Sequence, residues 1–249
     1  MQIDFKNKTI LITGATRGIG NRIADDLHLL GANLILTGTN SEEVAKLNSI
    51  AKLKGQNKKY FAVDMMKNDQ VDSFLKQLDQ FSQIDCLVNN AGINRLNHIQ
   101  NVTFSDWDEM LSVNLTAPFK LLNIVSKKMI KNNYGRVVNI ASIFSIISKE
   151  RRAAYSATKF GIHGLTVGAS NDLAKKNILV NTVSPGFVLT ELTKQNLTES
   201  EMKDLINQIP VKRFANTNDI STVVAFLLSD LNQYITGQNI IVDGGFTNV

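Results

Sequence analysis

Short apolar runs along this chain alternate with longer stretches in which apolar residues recur every three or four positions. Residues 9–13, apolar and β-branched, predict a buried strand. Ile23, Ala24, Leu27 and Leu30 then fall at helical spacing, and Gly31 supplies a stop. Residues 33–37 predict the next strand and residues 61–65 a third. Val71, Phe74, Leu75 and Leu78 mark a helix, and residues 84–88 a fourth strand. Strands are expected again at 136–142, 178–184 and 239–242. Residues 153–174 contain no proline and read as one long helix, and a further helix is expected from about residue 218 to residue 228. Residues 191–210 are a polar insertion with a short helical pattern, which reads as a mobile substrate lid. Strict alternation of strand and helix implies an α/β fold: a doubly wound parallel sheet of about seven strands with helices on both faces.

The first strand runs straight into Gly14-Ala15-Thr16-Arg17-Gly18-Ile19-Gly20 and then into a helix. A sharp strand-to-helix turn aims unpaired helix N–H groups at whatever lies above it, which suits an anion. Glycines there allow positive φ and let a diphosphate approach the backbone. The unit therefore predicts dinucleotide binding and a Rossmann fold, with residues 1–249 forming one domain. An acidic residue ending the second strand would hold the ribose 2′-OH of NAD(H). This chain has Thr37-Gly38-Thr39-Asn40 instead, with no carboxylate before Glu42, while Arg17 can pair with a 2′-phosphate. NADP(H) is expected in preference to NAD(H).

Composition narrows the picture further. At 249 residues and 43% hydrophobic content, one sizeable core is affordable within a single α/β domain. The net charge of +5 is scattered, and pairs such as Lys58-Lys59 and Lys127-Lys128 read as solvated faces, so no nucleic-acid partner is expected. The single cysteine, Cys86, lies in an apolar run and reads as a buried structural thiol. No apolar run reaches the roughly 18 residues of a membrane span. Residues 1–5 lack a signal-peptide pattern, so a cytoplasmic protein without a membrane partner is expected. His98 and His163 suggest no metal cluster, and His163 reads as a packing residue.

Candidate chemistry centres on Tyr155 and Lys159. Four residues apart on a helix, they share one face. A phenol has a pKa of about 10, and a neighbouring ammonium is expected to lower it, so that the tyrosine exchanges a proton with a substrate oxygen.

Thr13-Gly14-Ala15-Thr16-Arg17-Gly18-Ile19-Gly20 resembles the T-G-x-x-x-G-x-G fingerprint of the short-chain dehydrogenases/reductases. Asn89-Asn90-Ala91-Gly92, Tyr155 with Lys159, and Pro185-Gly186-Phe187-Val188-Leu189-Thr190 match further family elements, so the likeness covers nearly the whole chain. The resemblance implies a catalytic tetrad of Asn114, Ser142, Tyr155 and Lys159. It also implies cofactor contacts from Gly14, Thr16, Arg17, Gly18, Ile19, Gly20, Thr39, Asp64 and Met65 in the first half of the chain. Asn90, Ala91, Gly92, Tyr155, Lys159, Pro185, Gly186, Val188 and Thr190 would supply the rest. Within the family the pattern is most similar to bacterial 3-oxoacyl-acyl-carrier-protein reductases. That likeness implies carbonyl reduction on a small-molecule substrate carried on acyl carrier protein, in a homotetramer or dimer. Lys149-Glu150-Arg151-Arg152, between Ser142 and Tyr155, leaves open a second substrate class. Arg151 or Arg152 would meet a carboxylate or phosphate on a sugar acid, polyol derivative or nucleotide sugar. A nucleotide-binding regulator without catalysis is the third possibility.

Overall fold

A computed structural model describes residues 2–190, 193 and 198–248. Seven parallel strands form one sheet in the order β3-β2-β1-β4-β5-β6-β7. They are β1 (Thr9–Ile12), β2 (Asn33–Gly38), β3 (Lys58–Ala62), β4 (Cys86–Asn89), β5 (Gly135–Ile140), β6 (Ile178–Pro185) and β7 (Asn239–Val242). Strand order reverses between β1 and β4, so the loops leaving those two strands diverge and open a crevice at their carboxyl ends.

Pleating sends successive side chains to opposite faces, and each face has its own core. Ile10, Ile12, Leu34, Leu36, Val88 and Val183 pack with Ile23, Ala24 and Leu27 of α1 (Gly18–Leu29) and Ile220 and Val224 of a late helix (Thr217–Leu228). On the other face Leu11, Ile35, Leu87, Val137 and Val180 meet Val71 and Phe74 of the helix Asn68–Gln77. Leu121, Leu122 and Val125 of the helix Ala117–Asn132 complete that layer. The long helix Ala153–Leu173 lies against β6 and carries Tyr155 and Lys159. Cys86 is buried and free, as its apolar run implies, and burial pushes its thiol well above the ordinary range.

The third strand departs from expectation. It begins at Lys58 and ends at Ala62, leaving Asp64 and Met65 beyond its carboxyl end. β3 is an edge strand, so Lys58 and Lys59 extend their stems over the rim while their backbone pairs with Leu34 and Ile35. Apolar patterning misses such a polar start. In the lid region, residues 191, 192 and 194–197 lie outside the described residues, and a helix spans Glu199–Gln208, opened by a Thr198/Glu201 capping box.

Between sheet and long helix runs a buried polar chain. Asn89 Nδ2 donates to Asn139 Oδ1 (2.8 Å), Asn139 Nδ2 to Thr166 Oγ1 (2.8 Å), and Thr182 Oγ1 to the same Thr166 oxygen (2.8 Å). Thr166 in turn donates to the Ile162 carbonyl. One hydroxyl on the helix thus ties β5 and β6 to it in a single register. Thr166→Val keeps the shape but leaves two buried donors without an acceptor. We expect a loss of about 3 kcal/mol in urea unfolding, a loss that an apolar contact alone would not produce.

Candidate active site

The crevice above β1 and β4 is built by backbone demands. Gly14 has φ +62 and a Cβ there would meet the Ala91 Cα at 3.0 Å; a Cβ on Gly20 would lie 2.2 Å from the Gly14 carbonyl. Only glycine lets this turn close upon the loop after β4. Thr13, buried, accepts both the Asn90 and the Ala91 amide at its Oγ1 (3.0 Å each). Asn90 Nδ2 returns bonds to the Thr13 and Gly14 carbonyls (2.9 Å each). Asn90 therefore acts as a brace for the glycine turn. Thr13 was missed from sequence as a site residue; its signal was its place immediately before the turn.

Gly18 (φ +57) presents open space toward the Thr190 methyl at 3.8 Å, and Thr16 packs over Gly38 at the end of β2. Ile19 lies partly buried on the first turn of α1. Arg17 and Thr39 are exposed, and among the described residues no carboxylate pairs with Arg17. Asn40 is taken up by capping the helix Ser41–Leu53. Past β3, Asp64 Oδ1 accepts the Met66 amide, and Met65 is buried. Pro185 ends β6, Gly186 packs against the Asp243 backbone, Val188 is buried in the core where it bridges to Ala215, and the Thr190 methyl lies beside Gly18. This glycine-lined cleft fits a dinucleotide diphosphate.

All four tetrad candidates converge beside it. Ser142 follows β5, and its Oγ accepts the Phe144 amide. Asn114 lies in a π-type turn, Ser112–Thr116, where one extra residue per turn swings its side chain inward. Its Nδ2 donates to the Ile93 carbonyl and Thr158 Oγ1, and its Oδ1 accepts the Ile93 amide. Asn114 thus locks the loop after β4 to the long helix. Thr158, which also bonds the Tyr155 carbonyl, is a partner that spacing alone did not reveal. Gly92 leaves room here: a Cβ would come within 3.6 Å of Lys159 Nζ and 3.5 Å of Asn114 Oδ1.

Lys159 is 4% exposed, and its Nζ donates to the Ile140 carbonyl at 3.0 Å. Burial holds its ammonium down at about 8. Tyr155 is half-buried, its ring 6.1 Å from Phe144 at 73°. Burial pushes the phenol above its ordinary value, while the Ser142 hydroxyl and the Arg152 guanidinium pull it down. Lys159, expected to lower this pKa, turns its ammonium to the Ile140 carbonyl, 5.6 Å from the phenol ring centroid, and Arg152 is a second cation acting on the phenol. On one face of a helix, two side chains can still point to different partners.

A family model described as enoyl-(acyl carrier protein) reductase matches residues 14–247. The 3-oxoacyl-[acyl-carrier-protein] reductase FabG of Staphylococcus epidermidis is 38% identical over 243 residues, covering 96% of this chain and 98% of that protein. The chain belongs to the short-chain dehydrogenase/reductase family. Another family member, the FabG of Aquifex aeolicus, is 38% identical over 247 residues, with 98% and 99% covered. Among solved family structures, a gluconate 5-dehydrogenase from Burkholderia cenocepacia in complex with NADP and tartrate superposes with a TM-score of 0.92. The two are 30% identical, with 99% of this chain and 97% of that chain covered. The fold expected from sequence is the one observed, and the protein is an oxidoreductase of this family.

Because Lys159 titrates near 8 when folded and near 10.5 when unfolded, its burial destabilises the fold below pH 8, and the penalty fades as pH rises toward 10.5. Lys159→Met should therefore be more stable than wild type below pH 8, by up to about 3 kcal/mol, and lose that advantage above pH 10. Equal stability of the two proteins at pH 7 and pH 10 in urea would contradict the assignment.

Proposed function

We propose that this protein is an NADP(H)-dependent reductase that converts a carbonyl to a secondary alcohol, with a 3-oxoacyl thioester, carried on acyl carrier protein, as its first substrate class. The observation that carries the reading is the convergence of Ser142, Tyr155, Lys159 and Asn114 beside the glycine-lined cleft. Sequence likeness of 36–38% to FabG proteins supports the thioester.

The glycine turn from Gly14 to Gly20, with Asn90, Ala91 and Gly92, would receive the diphosphate. Arg17 and Thr39 would take the 2′-phosphate, Asp64 and Met65 the adenine side, and Pro185, Gly186, Val188 and Thr190 the nicotinamide side. When bound, NADP(H) supplies or accepts the hydride. Tyr155, kept protonated at neutral pH by its burial, gives its proton to the substrate oxygen. Ser142 donates to that oxygen and stabilises charge building there. Lys159 holds its ammonium below the site, and Asn114 acts as a positioning residue through Ile93 and Thr158. The same raised phenol pKa favours reduction at neutral pH. Alcohol oxidation needs the phenolate and should climb as pH rises.

The helix Glu199–Gln208 would serve as the lid. It borders a hollow of about 390 Å³ lined by Ile147, Gln208, Phe246 and Thr247, which suits the remainder of the substrate. A second hollow, at Asn33, Lys58 and Phe81, lies at the amino-terminal ends of β1, β2 and β3, the opposite end of the strands from the tetrad. Exposed Phe104, Phe119 and Phe160, with open space at Gly164 and Gly168 on the long helix, support a homotetramer or dimer. No described helix is long and apolar enough to cross a membrane, and a cytoplasmic location is part of this proposal.

A second reading is favoured by the cations between Ser142 and Tyr155: a sugar acid or polyol derivative in place of the thioester. The named activity of the NADP-bound structural neighbour is of that kind.

The test is NADPH oxidation with an acetoacetyl thioester, run beside NADH. Turnover is expected with a preference for NADPH, and Arg17→Gln should reduce that preference at least about tenfold. Equal use of both nucleotides, unchanged in the variant, would remove the 2′-phosphate argument. Absence of thioester turnover with NADPH still bound would move the substrate to the second class.

A further inference from the structure

The segment between Ser142 and Tyr155 gathers charge without balancing it. Arg151 adopts φ +63, a left-handed conformation that a non-glycine residue holds only under constraint. This kink turns the chain so that the next residue, Arg152, caps the long helix one turn before Tyr155. Its guanidinium lies 5.2 Å from the Phe144 ring centroid, and Phe144 is the ring packed edge-on to Tyr155. Lys149 reaches toward the opposite wall, with its Nζ 6.0 Å from the centroid of Phe187, just past the end of β6. The segment is pinned from behind by the Ser148–Ser156 hydroxyl pair at 2.8 Å.

One carboxylate sits in this segment, and its contact is with another loop. Glu150 pairs with His98 Nδ1 at 3.5 Å, on the loop after β4. Among the described residues no Asp or Glu lies within ion-pair distance of Lys149, Arg151 or Arg152. Burial and the Arg152 guanidinium lower the Lys149 pKa, and burial, with a smaller push from Arg151, lowers that of Arg152 against the pull of Tyr155. Two cations held against aromatic walls, without a carboxylate partner among the described residues and one of them against the ring that packs on Tyr155, are preorganised for an anionic oxygen group.

We propose that Lys149 and Arg152 form an anion clamp that takes a carboxylate or phosphate of the substrate a few atoms from its reacting carbon. The clamp rests on hydride chemistry at Tyr155 and on the second reading above, whose short anionic substrate it would hold. An acyl thioester offers no charge so close to its ketone. The guanidinium's planar fork suits two oxygens of the anion, and Lys149 adds a point charge from the other side. Neutralising Arg152 in this way also withdraws its pull on the Tyr155 phenol, so a bound anion keeps the acid protonated.

The test uses the NADPH-loaded protein, in which alcohols bind without reacting. Affinities for D-gluconate, D-sorbitol 6-phosphate and neutral D-sorbitol are measured by calorimetry at fixed ionic strength. At least one anion should bind about tenfold or more tightly than sorbitol, and which one does so separates carboxylate from phosphate. Arg152→Gln and Lys149→Gln should each erase most of that preference with NADPH affinity unchanged. Lys127→Gln, the same charge change at an exposed position on the helix Ala117–Asn132, should preserve it. Equal affinity for all three, no measurable binding of either anion, or a preference that survives in the double variant would overturn the clamp. Loss of NADPH binding in the wild type would instead count against the hydride-transfer reading.

Discussion

A lysine ammonium held inside a folded core is the constraint on which the rest of this site depends. Lys159 is almost fully removed from water and donates to the carbonyl of Ile140 at the end of β5. Desolvation costs stability, and that cost is tolerable only if sheet and helix are held in fixed register. The Thr166 junction supplies the register: it bonds Asn139 and Thr182 from two strands and returns its own proton to the helix. The polar inner face of the long helix, otherwise a poor core, is thereby explained. It positions Lys159 and the tyrosine one turn before it.

The cofactor side is organised by a different device with the same logic. Thr13 and Asn90 exchange bonds across the point where strand order reverses. The loop after β4 is thus fastened to the glycine turn on one side and, through Ile93 and Asn114, to the long helix on the other. One loop couples cleft and tetrad. Glycine is required at 14 and 20 because the two loops touch.

Much of this was legible in the chain. Alternating apolar runs and helical spacings gave the parallel sheet, because buried strands between crossover helices cannot avoid that pattern. The turn from Gly14 to Gly20 announced the cleft through its place between strand and helix. Less legible were features that depend on where side chains point. Spacing placed Tyr155 and Lys159 on one face, yet Arg152 also pulls on the phenol and Lys159 turns to a carbonyl. Thr13 and Thr158 are small hydroxyl residues whose roles come only from partners distant in sequence. β3 began three residues before its apolar signal because an edge strand tolerates lysines.

Tyr155→Phe puts the proposed chemistry to its most direct test. It removes one oxygen from a half-buried ring and leaves the Phe144 contact in place. NADPH affinity by fluorescence and single-turnover NADPH oxidation with a carbonyl substrate should be measured on the same preparation. Affinity within about twofold of wild type, with the rate reduced by at least about a hundredfold, is the expected result. A variant that binds NADPH and turns over at the wild-type rate would contradict the assignment of Tyr155 as proton donor.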